Sequence, residues 1–138
     1  MSLFRFFSFL TVLIVGLGMT GPALAVAPSI EKPIAVLRAL DKATARVAEI
    51  EVHTGKPYNF GTIFITVDSC RVTTPEEQPE AAAFLEVSEF KSGEQESLIF
   101  KGWMFASSPS LSAMEHPIYD LWVMGCKDEP SATPATSK

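Results

Sequence analysis

The stretch LIFKGWMFASSPSLSAMEHPIYDLWVMGC, residues 98–126, decides the fold class. It reads as two apolar strands joined by a polar, proline-bounded connection. It holds both tryptophans (Trp103, Trp122), three of the five methionines and one of the two cysteines. Residues 98–105 are apolar on both faces apart from Lys101 and Gly102, the pattern of a central strand covered on both sides. Ser108 and Pro109 have the N-cap and N1-proline pattern of a short helix. That helix must stop by His116, because Pro117 disfavours helical geometry in the residue before it. Residues 118–126 form the last strand.

Working outward, residues 46–53 alternate. Ala48, Ile50 and Val52 oppose Glu49, Glu51 and His53, as in a half-buried strand. Thr54-Gly55-Lys56-Pro57 is a turn. In GTIFITVDSC (61–70), Ile63, Ile65 and Val67 share one side, and Phe64, Thr66, Asp68 and Cys70 the other. These two segments are expected to pair as a hairpin. Residues 34–41 fit a helix face or a strand ending in a turn, and the strand is the preferred reading. Residues 71–80 form a polar loop. Thr74-Pro75-Glu76-Glu77 has capping-box form there, but Pro79 limits any helix to one turn. AAAFLEVSEF (81–90) resembles a strand weakened by three alanines, and Ser92-Gly93-Glu94 is the next turn. The expectation is one mainly β domain over residues 34–127: an antiparallel β-sandwich or small barrel of five or six strands with one short helix.

The chain ends carry a different signal. Residues 1–25, MSLFRFFSFLTVLIVGLGMTGPALA, look like a signal peptide: Arg5, an uncharged apolar run, then Gly21-Pro22 and Ala23-Leu24-Ala25. Cleavage after Ala27 also fits, and the apolar run approaches the roughly 20 residues of a retained membrane anchor. Residues 26–33 are an extended, proline-marked lead-in, and 128–138 have the composition of a disordered tail. Net charge is -5, and losing Arg5 with the leader leaves ten basic against sixteen acidic residues. An acidic domain without a basic stripe argues against nucleic acid, and no stable membrane insertion is expected after leader cleavage. An exported chain with two cysteines reads as carrying one disulfide, Cys70 to Cys126, in a periplasmic or secreted setting.

Chemistry-bearing patterns are sparse. His53 and His116 lie far apart, so neither a metal nor a cofactor is expected. No nucleophile elbow, phosphate loop or Cys-x-x-Cys pair is present. Ser107, Ser108, His116 and Asp120 supply the residue types of a triad, and a small hydrolase using Ser108 and His116 is the alternative reading. The blocks GWMFASSPSLSAMEHPIYDLWVMGC, DSCRVTTPEEQPEAAAFLEV and LDKATARV resemble a family of short exported alphaproteobacterial proteins, domain of unknown function 2155, over roughly residues 35–127. The resemblance implies an envelope protein of a Gram-negative cell, with cysteines at the positions of Cys70 and Cys126. It implies no reaction, ligand or catalytic residue. The leading expectation is a non-enzymatic envelope module that binds an unidentified envelope protein or assists a complex. Its candidate recognition surface is Leu111 and Met114, three apart on the short helix, extended by Tyr119 and Trp122. The leader yields the first test. Mass spectrometry of the periplasmic protein is expected to find Val26 or Pro28 at the N-terminus, and an intact Met1 in the membrane fraction would contradict cleavage.

Overall fold

The computed structural model describes residues 27–130. The leader reading over 1–25, and the tail reading beyond residue 130, lie outside them. In chain order the strands are β1 (Ile30–Glu31), β2 (Ile34–Asp41), β3 (Arg46–His53), β4 (Tyr58–Phe60), β5 (Ile63–Val72), β6 (Ala81–Glu89), β7 (Ser97–Phe105) and β8 (Tyr119–Lys127). All pairings are antiparallel. One sheet runs β1-β5-β6-β7, with β4 also on β5, and the other runs β3-β2-β8. This is the sandwich of the two expected architectures, with six long strands and two short ones. Ile63, Ile65, Val67, Leu85 and Val87 of the larger sheet face Leu37, Ile50, Val52, Leu121 and Val123 of the smaller one in a common core. Each such side chain contributes about 1.5–3 kcal/mol on full burial. The alanines of residues 81–83, which weakened the strand reading, are all buried.

The expected hairpin of residues 46–53 with 61–70 does not form. β3 pairs with β2, and β5 with β4 and β6. Local turn chemistry explains the difference. Asp41 Oδ1 accepts the amides of Ala43 and Thr44 at 2.9 and 3.2 Å, and Ala45 takes a φ of 55°. Those bonds close residues 42–45 into a tight β2–β3 connection. The segment after β3 instead crosses between sheets, where Thr54 N–H bonds Pro33 O and Gly55 N–H bonds Val67 O.

A second correction concerns Cys70, expected on the face opposite Ile63, Ile65 and Val67. It is fully buried with them. The register against β6 slips between Val67 and Ser69, leaving Asp68 as an extra residue. This β-bulge reverses the alternation for the rest of the strand. β8 does the same. Val123 lies opposite Leu37 and Gly125 opposite Val36, so Met124 is extra, and Cys126 turns toward the core. The two cysteines meet in a disulfide that ties the sheets together, with Cα atoms 5.8 Å apart.

Residues 98–105 are not a central strand. β7 ends the strand order and only its Met104 is buried. Its apolar residues lie on a half-covered edge, where Ile99 is again an extra, bulged residue. The short helix is a 3₁₀ turn, Pro109–Ser112, which ends well before His116. Pro109 holds the expected first position, but Ser108 makes no side-chain cap. Thr74 and Glu77 form a turn instead of a helix, with Thr74 N–H on the Glu77 carboxylate at 3.0 Å.

Gly61, between β4 and β5, has a φ of 61°, and a Cβ there would run into the Tyr119 hydroxyl. Gly55 has a φ of 74° but open space around it. Gly61→Ala is therefore expected to cost roughly 2–4 kcal/mol, combining strain and a clash. Gly55→Ala is expected to cost only about 1 kcal/mol. Urea denaturation of the two variants measures the contrast, and equal losses would contradict it.

Candidate functional site

The two ends of the sandwich carry different polar groups. At one end, alternation along β6 sends Glu89 inward in phase with Leu85 and Val87, and it is buried. Its carboxylate accepts the Thr62 hydroxyl at 3.1 Å and pairs with Lys91 Nζ at 3.1 Å. His116 is buried beside it, stacked on Tyr119 with ring centroids 5.2 Å apart. Its Nδ1 accepts the amides of Ile118 and Tyr119 at 3.1 and 3.0 Å. An accepting Nδ1 carries no proton, which assigns the ring hydrogen to Nε2. Nε2 lies 3.3 Å from Glu89 Oε1, within charge-contact range but off the line of a well-formed hydrogen bond. Nδ1 thus serves the turn into β8, while Nε2 faces Glu89 of β6. The Tyr119 hydroxyl completes the group by accepting the Thr62 amide at 3.3 Å.

The opposite, disulfide end opens into a cleft of about 440 Å³. Its walls come from the end of β5, the 73–80 loop, the residues after β7 and the bulged end of β8. The loop is closed on itself. Thr73 donates to Gln78 O and accepts the Glu80 amide, both at 3.0 Å. Glu80 accepts the amides of Ala81 and Ser107 at 2.9 and 3.1 Å, and also the Ser107 hydroxyl. Burial alone would raise the Glu80 carboxyl, but the Ser107 hydroxyl and the surrounding amides outweigh it and hold it below its usual value. Pro75, Pro79, Val72 and the exposed Met124 supply apolar wall around this fixed negative charge.

The sequence-derived candidates are dispersed over this frame. Leu111 is 73% exposed on the 3₁₀ turn, whereas Met114 is 5% exposed within the core. They do not share a face, because the helix ends at Ser112, before Met114 is reached. Tyr119 is buried, and Trp122 is half-buried beside Arg38 on the outer face of the smaller sheet. Ser108 and His116 are not brought together either. Ser107 is bonded to Glu80 and His116 contacts Glu89, and these glutamates bracket β6, roughly 30 Å apart along an extended strand. Cys70 and Cys126 are paired as expected. Glu80 and Glu89 were missed. The signal for Glu89 was present, since it continues the inward alternation of 81, 83, 85 and 87. Glu80 sits in a loop whose closure depends on contacts distant in sequence.

Comparison with known proteins adds the following. The sequence model of a family described as "Uncharacterized protein conserved in bacteria (DUF2155)" matches residues 35–126. The chain is 36% identical over 88 residues to the uncharacterized protein RP359 of Rickettsia prowazekii (strain Madrid E). That alignment covers 64% of this chain and 57% of the relative, so the chain spans little more than half of the relative's length. No solved structure matches the chain.

The buried end yields a pH test. Burial alone would raise the Glu89 carboxyl, but Lys91, His116 and Thr62 outweigh it and hold it below its usual 4.5. A depressed folded value means stabilisation that is present above 4.5 and lost as pH falls through the folded value. Glu89→Gln is expected to melt lower than wild type at neutral pH, with the gap closing below pH 4.5. Melting temperatures measured across that range check it, and a gap independent of pH would contradict it.

Proposed function

The chain belongs to the DUF2155 family of uncharacterized bacterial proteins, and from that premise we propose that it is a non-enzymatic module of the bacterial envelope that recognises a protein partner. One observation carries the reading: the polar groups able to do chemistry are committed to the fold, while a rigid apolar cleft stands open. His116 uses Nδ1 to accept two amides, and its Nε2 is buried against Glu89 at 3.3 Å. Ser107 is held by Glu80, and Ser108 lies beside it at the far end of β6. Neither supports the hydrolase reading, which needs a serine within reach of a free imidazole nitrogen. The cleft itself suits binding. Its loop is closed by its own hydrogen bonds, so little ordering entropy is lost when a partner docks. Apolar walls around a retained carboxylate favour an apolar segment that brings a cation or N–H donors. The leader pattern, together with a disulfide, supports an oxidising compartment outside the cytosol.

Partner capture from an envelope extract tests this, with Met124→Asp and Leu111→Asp compared against wild type. Both residues are exposed, so both variants are expected to keep the wild-type melting temperature. Met124→Asp is expected to lose capture and Leu111→Asp to keep it. Undiminished capture by Met124→Asp would overturn the assignment of the cleft, and ester or amide hydrolysis abolished by Ser108→Ala would overturn the module reading.

A further inference from the structure

Among the described residues the sheets end at four places, and they differ in what they can accept. β1 and β4 are two and three residues long. β3 carries Glu49 and Glu51 on its solvent side, so a two-fold pairing centred on the strand sets Glu49 against Glu49. β8 is interrupted by the Met124 bulge, which leaves the five residues 119–123 unbroken, and β7 by the Ile99 bulge, which leaves the six residues 100–105 unbroken around Gly102. β7 is nine residues long, and its single charge, Lys101, is already matched by Glu86 at 2.5 Å.

The hydrogen-bond phase of β7 can be read from one contact. Ala106 N–H donates to Ala81 O, and the same register pairs Met104 with Ala83 and Gly102 with Leu85. These even-numbered residues therefore bond to β6, while the N–H and C=O groups of Lys101 and Trp103 point away from it. Among the described residues, no group bonds those outward main-chain atoms.

We propose that β7 pairs antiparallel with β7 of a second copy of this chain, in a two-fold contact centred on Gly102. In that register the outward groups of Lys101 meet those of the partner copy's Trp103, and the reverse. The cation then lies beside an aromatic ring, with no like charges opposed. Gly102 falls opposite its own copy at the non-hydrogen-bonded position, where Cα atoms approach to about 4.5 Å. The contact is self-complementary, as a closed dimer requires. It also extends an aromatic outer face that a lone domain leaves half-covered. There, Trp103 packs edge-on against Phe84 at 5.5 Å, with the Arg71 guanidinium 5.3 Å from its ring.

Sedimentation of the purified full chain over a concentration series tests the contact. Wild type is expected to show a concentration-dependent dimer. Lys101→Pro removes an outward N–H, which an edge strand tolerates, together with the exposed Lys101–Glu86 pair, and is expected to sediment as a monomer with its circular dichroism retained. At Gly102 an added Cβ meets only the Phe100 ring at 3.6 Å, an ordinary contact. Gly102→Cys is therefore expected to fold and to form an inter-chain disulfide under oxidising conditions. A wild-type monomer at every concentration overturns the proposal, as does a dimer untouched by Lys101→Pro. Should Lys101→Pro fail to fold, the Gly102→Cys cross-link decides, and its absence overturns the proposal.

Discussion

One covalent bond and the two bulges that make it possible set the geometry of the whole domain. Cys70 lies three residues after Val67, and Cys126 three after Val123. An unbroken strand would place each cysteine on the opposite face from its inward neighbour. Asp68 and Met124, the extra residues, restore both to the core side. The bond then joins a central strand of one sheet to an edge strand of the other, closing 56 residues of sequence. In the chain-entropy account, a loop of that length stabilises by about 4 kcal/mol. Small domains are stable by about 5–15 kcal/mol in all. A sandwich whose smaller sheet has only three strands depends strongly on that link.

The other end is closed without a covalent bond. Tyr119 fills the space left by Gly61, bonds the Thr62 amide and lies edge-on to Phe60 with ring centroids 5.7 Å apart. His116 turns the chain into β8 through two amides, and Glu89 sits beneath it. A buried charge is tolerated only when it is paired and hydrogen-bonded, and Lys91 and Thr62 meet that requirement here. One end is therefore sealed by a disulfide beside an open cleft, the other by a filled polar cluster. Residues 106–118 run between these ends, which is why so polar a segment still contributes the buried Met114 and His116.

The fold class was legible because five or six short strand-like segments are separated by turn signals. The extents of residues 46–53 and of the last strand came out close to β3 and β8. Pairing was less legible, because alternation says which face a residue occupies and not which strand lies beside it. The β2–β3 hairpin hinged on the side-chain oxygen of Asp41, in a tract where apolar composition was the louder signal. The apolar run 98–105 was read as central because edge and central strands differ in their neighbours, not in their hydropathy. The bulges left no mark in the alternation of β5, since Asp68 and Ser69 are both polar and both outward. The disulfide was the better guide: two inward cysteines require a parity change that the alternation alone does not show. The site was less legible than the fold. Leu111 and Met114 were joined by an assumed helix that ends between them, while the cleft is assembled from four segments with no shared motif.

The recognition we propose belongs to the disulfide end. A docking cleft must keep its shape without being filled, and apolar packing alone cannot do that, because packing stabilises by filling space. Here the shape is held by bonds that leave the opening empty: the disulfide, the Thr73 clasp and the Glu80 contacts to Ser107 and Ala81. The Met124 bulge does two jobs at once. It turns Cys126 inward to make the covalent link, and it leaves Met124 exposed on the rim, a flexible thioether suited to adaptable contact. The same extra residue that satisfies the core therefore presents the surface, so cleft and staple cannot vary independently. A chain that lost the bulge would lose the staple and the rim together.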